Sequence, residues 1–244
     1  MNKPTICIIH GWSLEKQIKS RWQPLITLLE KAGYKVKYLS LPGFDEPLLE
    51  PFDLDMYQDH LIKQLEKFSS VVIIGHSFGG QLAVCLAAKN LKKIKAMVLI
   101  APAGVIDKSL FKVIKRVFFK LIAKTGSLVL GFLPTPVLLF FRKILYFFVR
   151  ENDYLKLSDE NLKKTMQKAI STEVIDDFAK IKLPTLIIWG DKDSFTPIKN
   201  APVFASGIHK AQLKILKGER HRPYYSKPEQ VASHITYFLD RYVD

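Results

Sequence analysis

The chain has 244 residues, 48% apolar and 25% charged, a composition that supplies the core of one large α/β domain and excludes a disordered chain. A net charge of +14 would ordinarily raise a nucleic-acid partner, but nine basic residues against one acidic residue between Gly104 and Arg150 place +8 of it in one segment, so no nucleic-acid surface is read. Two cysteines, Cys7 and Cys85, both in apolar surroundings, exclude a disulfide framework and read as buried free thiols.

The opening MNKPTICIIHGW enters a strand-like run without an apolar stretch and small-residue cleavage site, so a cytoplasmic location is expected. Six β-branched runs follow in chain order: TICIIH at 5–10, KVKYLS at 35–40, VVIIG at 71–75, AMVLIA at 96–101, TLIIW at 185–189 and QLKIL at 212–216. Helical periodicity fills the gaps at 20–33, 54–68, 78–90, 196–207 and 228–242. Continuous apolar strands alternating with helices predict an α/β fold, a mostly parallel six-stranded sheet with helices on both faces.

The alternation breaks after the fourth strand. About eighty residues separate it from Thr185, too many for a plain crossover. The expectation is a helical cap at 104–180, with a core formed by 1–103 and 181–244. Within it, Lys108, Lys112, Arg116, Lys120 and Lys124 recur every four residues, opposite Leu110, Ile114, Val117 and Leu121. This basic amphipathic helix has two readings: peripheral contact with an anionic membrane, or an apolar face on the core with the lysines in water. The later run SLVLGFLPTPVLLFF is 15 residues long with two prolines, too short to span a bilayer.

Chemistry concentrates in GHSFGG at 75–80, directly after VVII and before the helical QLAVCLAAK. A strand turning sharply into a helix through G-x-S-x-G projects its serine above the sheet and needs small neighbours, so Ser77 reads as a nucleophile. A serine hydroxyl requires a base and a carboxylate that orients it. WGDKDSFTP at 189–197 and KGERHRPYYSKPEQV at 217–231 follow the fifth and sixth strands, at the sheet edge from which Ser77 projects. They supply the order Ser77, Asp193, His221, with Asp191 as a rival acid.

On IIHGW, LPGF at 41–44, GHSFGG, WGDKDSFTP and His221 with the following KPEQV, the chain resembles the α/β-hydrolase superfamily, in its compact branch with a helical cap. The resemblance implies Ser77 as nucleophile, Asp193, four residues before Pro197, as acid, and His221 as base, with Asp107, after the fourth strand where some relatives place the acid, as a weaker rival. It further implies an oxyanion hole from the backbone N–H groups of Trp12 and Phe78, and His10 as an organiser of its loop. Two departures stand out: Arg220 and Arg222 bracket His221 where relatives carry a small residue, and the insertion is unusually basic and aromatic.

The implied activity is a serine hydrolase without cofactor or metal, cleaving a carboxylic ester or thioester of an apolar acyl group through an acyl-serine. A dehalogenase of this fold would carry aspartate in place of Ser77. Phenylalanines of the insertion, from Phe111 to Phe148, could line the acyl site or pack on one another. An acyltransferase using the same triad, and a catalytically silent binding module on the same scaffold, remain alternatives. The partner is a small-molecule ester or acyl substrate; the residues do not indicate an oligomeric state.

Overall fold

The computed structural model describes residues 3–13, 18–44, 46–106 and 159–243. Asp107, the stripe from Lys108 to Lys124 and the phenylalanines of the insertion lie outside the described residues. Six strands form one sheet: β1 Thr5–Ile9, β2 Val36–Tyr38, β3 Val71–His76, β4 Ile94–Ile100, β5 Thr185–Gly190 and β6 Ala211–Leu216. Their spatial order is β2-β1-β3-β4-β5-β6, and every pairing is parallel. The expected six-stranded α/β sheet is therefore present.

Side chains of a strand alternate between faces, and each face needs its own cover. Ile6, Ile8, Val72 and Ile74 pack under α1 (Ile18–Lys31) and α8 (Pro228–Tyr242), which bury Trp22, Leu25, Ile235 and Phe238 there. Cys7, Ile9, Ile73 and Leu99 face α2 (Leu54–Leu65), α3 (Phe78–Ala88) and α6 (Ala201–Gly207), which contribute Tyr57, Leu61, Leu82 and Phe204. Both cysteines are free and buried, and burial pushes each thiol up to about 12, which keeps them protonated.

The helix expected at 196–207 starts later than its periodicity suggests. Pro197 is extended, a 3-10 turn covers Ile198–Asn200, and α6 proper begins at Ala201. The reason is local. The Asp193 carboxylate accepts hydrogen bonds from the Phe195 and Thr196 amides, and the residue before a proline disfavours the helical region.

Two compact units divide the chain: Met1–Val105 with Asn161–Asp244, and Ile106–Glu160. Within the first, α4 (Glu160–Ser171) and α5 (Ile175–Phe178) return the chain to β5. The Asn161 amide donates to the Leu48 carbonyl at 3.0 Å, and the Phe52 N–H donates to Thr165 Oγ1 at 2.8 Å. Buried Gln81 on α3 donates to the carbonyls of Ala169 and Thr172, and the Val174 N–H closes on the Gly104 carbonyl at 2.9 Å. The two ends of the excursion are thus pinned together on the sheet unit. Among the described residues, no helix is long and apolar enough to cross a membrane.

The glycines of GHSFGG have definite neighbours. A Cβ on Gly79 would collide with the Ile9 and His10 carbonyls, and one on Gly75 with the Gly79 backbone and the Ala83 methyl. Because backbone rather than flexible side chain is in the way, Gly79→Ala is expected to destabilise the fold by about 3 kcal/mol or more. A urea titration against wild type measures it, and an unchanged midpoint would show that β1 and α3 can separate.

Candidate active site

The site is built where strands end. β3 carries Ser77 at its carboxyl end, β1 beside it carries the His10–Trp12 loop, and β5 and β6 carry the loops of Asp193 and His221. Crevices at the carboxyl ends of parallel strands are where α/β sheets bind ligands, because strand order reverses there.

Ser77 has φ 52° and ψ −116°, outside the regions that L-residues favour. Its N–H donates to the Ile100 carbonyl, while its own carbonyl accepts from the N–H groups of Gly80, Gln81 and Ala103. Four backbone bonds hold the strained residue at the tip of the strand–helix turn. No acceptor among the described residues takes the N–H of Phe78, the first residue of α3, or that of Trp12. Gly11 lies against the serine, since a Cβ built on it would sit 3.0 Å from Ser77 Cβ. The rings of Trp12 and Phe78 meet at 5.5 Å, and that of Trp12 meets Phe44 at 4.9 Å.

Of the two aspartates in the β5 loop, only one reaches the histidine. Asp193 Oδ2 lies 2.8 Å from His221 Nδ1, and the Asp193 side chain is wholly buried. Oδ1 accepts from the N–H groups of Phe195 at 2.8 Å and Thr196 at 3.1 Å. Asp191 is turned away and accepts the Gly218 N–H at 2.7 Å, tying the β5 and β6 loops together. Arg220 is exposed and Arg222 half-buried. Phe195, 71% exposed, holds its ring 5.1 Å from the imidazole of His221 and offers an apolar surface beside it.

His10 is buried, with Nδ1 2.7 Å from the Gly11 carbonyl and its ring stacked on Tyr38. His60 contacts the Ser40 carbonyl, and His209 is exposed. Two residues that motif reading passed over prove central. His76 donates from Nε2 to the His221 carbonyl at 2.9 Å and lies 4.7 Å from its ring. It is enclosed by Trp22 and Tyr224, so the base loop is tied to the residue preceding Ser77. Thr196 brings its hydroxyl to 2.8 Å from Asp193 Oδ2 and 3.2 Å from His221 Nδ1. A hydroxyl residue three positions after the acid and just before a proline is a turn signature that could have flagged it.

A model of the α/β hydrolase fold matches residues 4–228. The chain belongs to the α/β-hydrolase family. Human monoacylglycerol lipase ABHD6 is 25% identical to this α/β hydrolase, covering 98% of it and 76% of the lipase. The pimeloyl-[acyl-carrier protein] methyl ester esterase of Neisseria meningitidis serogroup A is 24% identical over 98% of the chain and 78% of the esterase. Among solved structures, a bacterial membrane phospholipase A superposes with a TM-score of 0.71 at 22% identity, covering 97% of this chain and 78% of that one. An esterase from Thermogutta terrifontis gives 0.69 at 18% identity, covering 100% and 92%.

Burial holds the His76 imidazole well below the ordinary histidine value of 6.5; neighbouring His221 and Arg222 add to this, against the opposing bond to the His221 carbonyl. The folded pKa lies below the unfolded one, so below pH 6.5 the unfolded chain binds the extra proton. Stability is full above that value and falls as pH drops, by up to about 1.4 kcal/mol per pH unit for one proton. His76→Gln, which keeps a donor for the His221 carbonyl but cannot titrate, is expected to flatten the dependence. Urea midpoints measured from neutral to mildly acidic pH check it, and parallel curves would mean that His76 takes up its proton in the folded state.

Proposed function

We propose that this α/β hydrolase is a serine hydrolase of carboxylic esters or thioesters with an apolar acyl group, using Ser77, Asp193 and His221. The observation that carries the reading is the buried Asp193 carboxylate at 2.8 Å from His221 Nδ1, in a loop tied through His76 to the strained turn of Ser77. With Nδ1–H facing a carboxylate, the lone pair of Nε2 is left as the base.

Ser77 Oγ attacks the acyl carbonyl carbon while His221 takes its proton, and the carbonyl π electrons move onto oxygen. The N–H groups of Trp12 and Phe78, which no described residue accepts, are the donors for that oxyanion. Collapse expels the alcohol or thiol, protonated by His221, and leaves an acyl-serine. Water, deprotonated by the same imidazole, attacks this ester; the acid departs and Ser77 regains its proton. Asp193 stays ionised throughout and stabilises the imidazolium. The apolar rings of Phe195, Trp12, Phe44 and Phe78 support an apolar acyl group, and the two relatives are by name a monoacylglycerol lipase and a pimeloyl-[acyl-carrier protein] methyl ester esterase.

Ser77→Ala is expected to abolish ester hydrolysis and fluorophosphonate labelling without changing the melting temperature. Asp193→Asn should lower kcat by about 10⁴-fold through loss of the correct tautomer, whereas Asp191→Asn, at a side chain that accepts the Gly218 N–H, should keep most activity. Assays on p-nitrophenyl esters decide this. Greater damage from Asp191→Asn would overturn the acid assignment.

The same esters in a graded series test the acyl preference. Each added methylene should improve kcat/KM by up to about 0.8 kcal/mol until the apolar surface is covered. A flat profile from acetate to octanoate would remove the apolar acyl group from the proposal.

A further inference from the structure

We propose that Thr196 is a positioning residue whose hydroxyl, together with Asp193, fixes the tautomer and orientation of the His221 imidazole. The inference rests on the reading of Ser77, Asp193 and His221 as the reacting groups. Thr196 Oγ1 stands within hydrogen-bond reach of three atoms from separate parts of the chain: Asp193 Oδ2 at 2.8 Å, the Ala101 carbonyl at 3.1 Å and His221 Nδ1 at 3.2 Å.

The hydroxyl has one proton, and the donor–acceptor inventory fixes where it points. An ionised carboxylate only accepts, so the short contact to Oδ2 requires the Thr196 proton to point there, with the Ala101 carbonyl receiving a minor share. A lone pair of Oγ1 then faces His221. The Nδ1–H proton therefore meets two acceptors, Asp193 Oδ2 at 2.8 Å and Thr196 Oγ1 at 3.2 Å. Two acceptors on one side of the ring define its plane, where a single carboxylate oxygen would let it pivot about the bond.

The threonine is itself rigidly held. Its N–H donates to Asp193 Oδ1, and its carbonyl accepts the indole N–H of Trp189, a fully buried residue of β5, at 2.9 Å. A β-branched side chain has few χ1 choices, and Pro197 keeps the segment out of the helix. The Ala101 end of the network leads back to the nucleophile. Ala101 has φ 45°, unusual for a residue with a side chain, and two residues later the Ala103 N–H donates to the Ser77 carbonyl. Thr196 thus joins the Asp193–His221 pair to the strap that supports Ser77.

The test compares Thr196→Val, which keeps the shape and removes the hydroxyl, with Thr196→Ser, which restores it. On p-nitrophenyl butyrate, Thr196→Val should lower kcat by about 10- to 100-fold with KM little changed, the loss expected for one hydrogen bond to a charged group. Because Asp193 Oδ2 and His221 Nδ1 each lose a partner, the acid limb of kcat/KM should differ from that of wild type. Thr196→Ser should recover most of the rate and the wild-type pH profile. Unchanged kcat and acid limb in Thr196→Val, or no recovery in Thr196→Ser, overturns the proposal.

Proton NMR of the wild type provides a readout independent of both turnover and variant folding. The two-acceptor arrangement requires a slowly exchanging Thr196 hydroxyl proton with a cross-peak to His221 Hδ1. Presence of that cross-peak supports the proposal even if every ester proves inert and the hydrolase reading fails; its absence in folded protein overturns it even if the enzyme is active.

Discussion

The structure depends on one strained residue. Ser77 occupies a left-handed conformation that costs a residue with a side chain about 1–3 kcal/mol, and it persists because its surroundings over-determine it. Its carbonyl gathers three N–H donors, from Gly80, Gln81 and Ala103. Those bonds need α3 to begin immediately and to lie close to β1, which in turn requires the bare backbones of Gly75 and Gly79. The hydroxyl is placed at the sheet edge by this backbone arrangement, so the motif glycines and the packing of β1, β3 and β4 answer to the same constraint.

A second constraint is electrostatic and concerns two histidines in contact. The rings of His76 and His221 lie 4.7 Å apart. Two imidazolium charges at that distance would repel by about 3.5 kcal/mol at an effective dielectric of about 20. Burial keeps His76 neutral, so it can donate to the His221 carbonyl and hold that loop without opposing the positive charge that His221 would gain as the proposed base. The buried Asp193 carboxylate, satisfied on Oδ1 by two amides, supplies the balancing negative charge.

Much of this was legible in the amino-acid order. Continuous apolar runs and helix periods near three and a half located all six strands and most helices among the described residues, because a sheet covered on both faces demands continuous apolar strands. The serine flanked by glycines between VVII and QLAVCLAAK specified the turn, since few other arrangements need such small residues there. The start of α6 was misplaced because periodicity carries no record of the turn in which Asp193 holds the amides ahead of Pro197.

Local chemistry, then, was the sequence's own contribution: strands, the nucleophile turn and a short set of candidate acids and bases. Tertiary structure decided which candidates meet. Asp191 and Asp193 sit two residues apart in one loop with the same side chain, and only the packing of that loop sends one to His221 and the other to Gly218. His76 and Thr196 gained their roles from partners 145 and 25 residues away along the chain. A hydrogen bond depends on position and direction to within a few tenths of an ångström, and residues so far apart acquire that precision only when the sheet has brought the ends of its strands together.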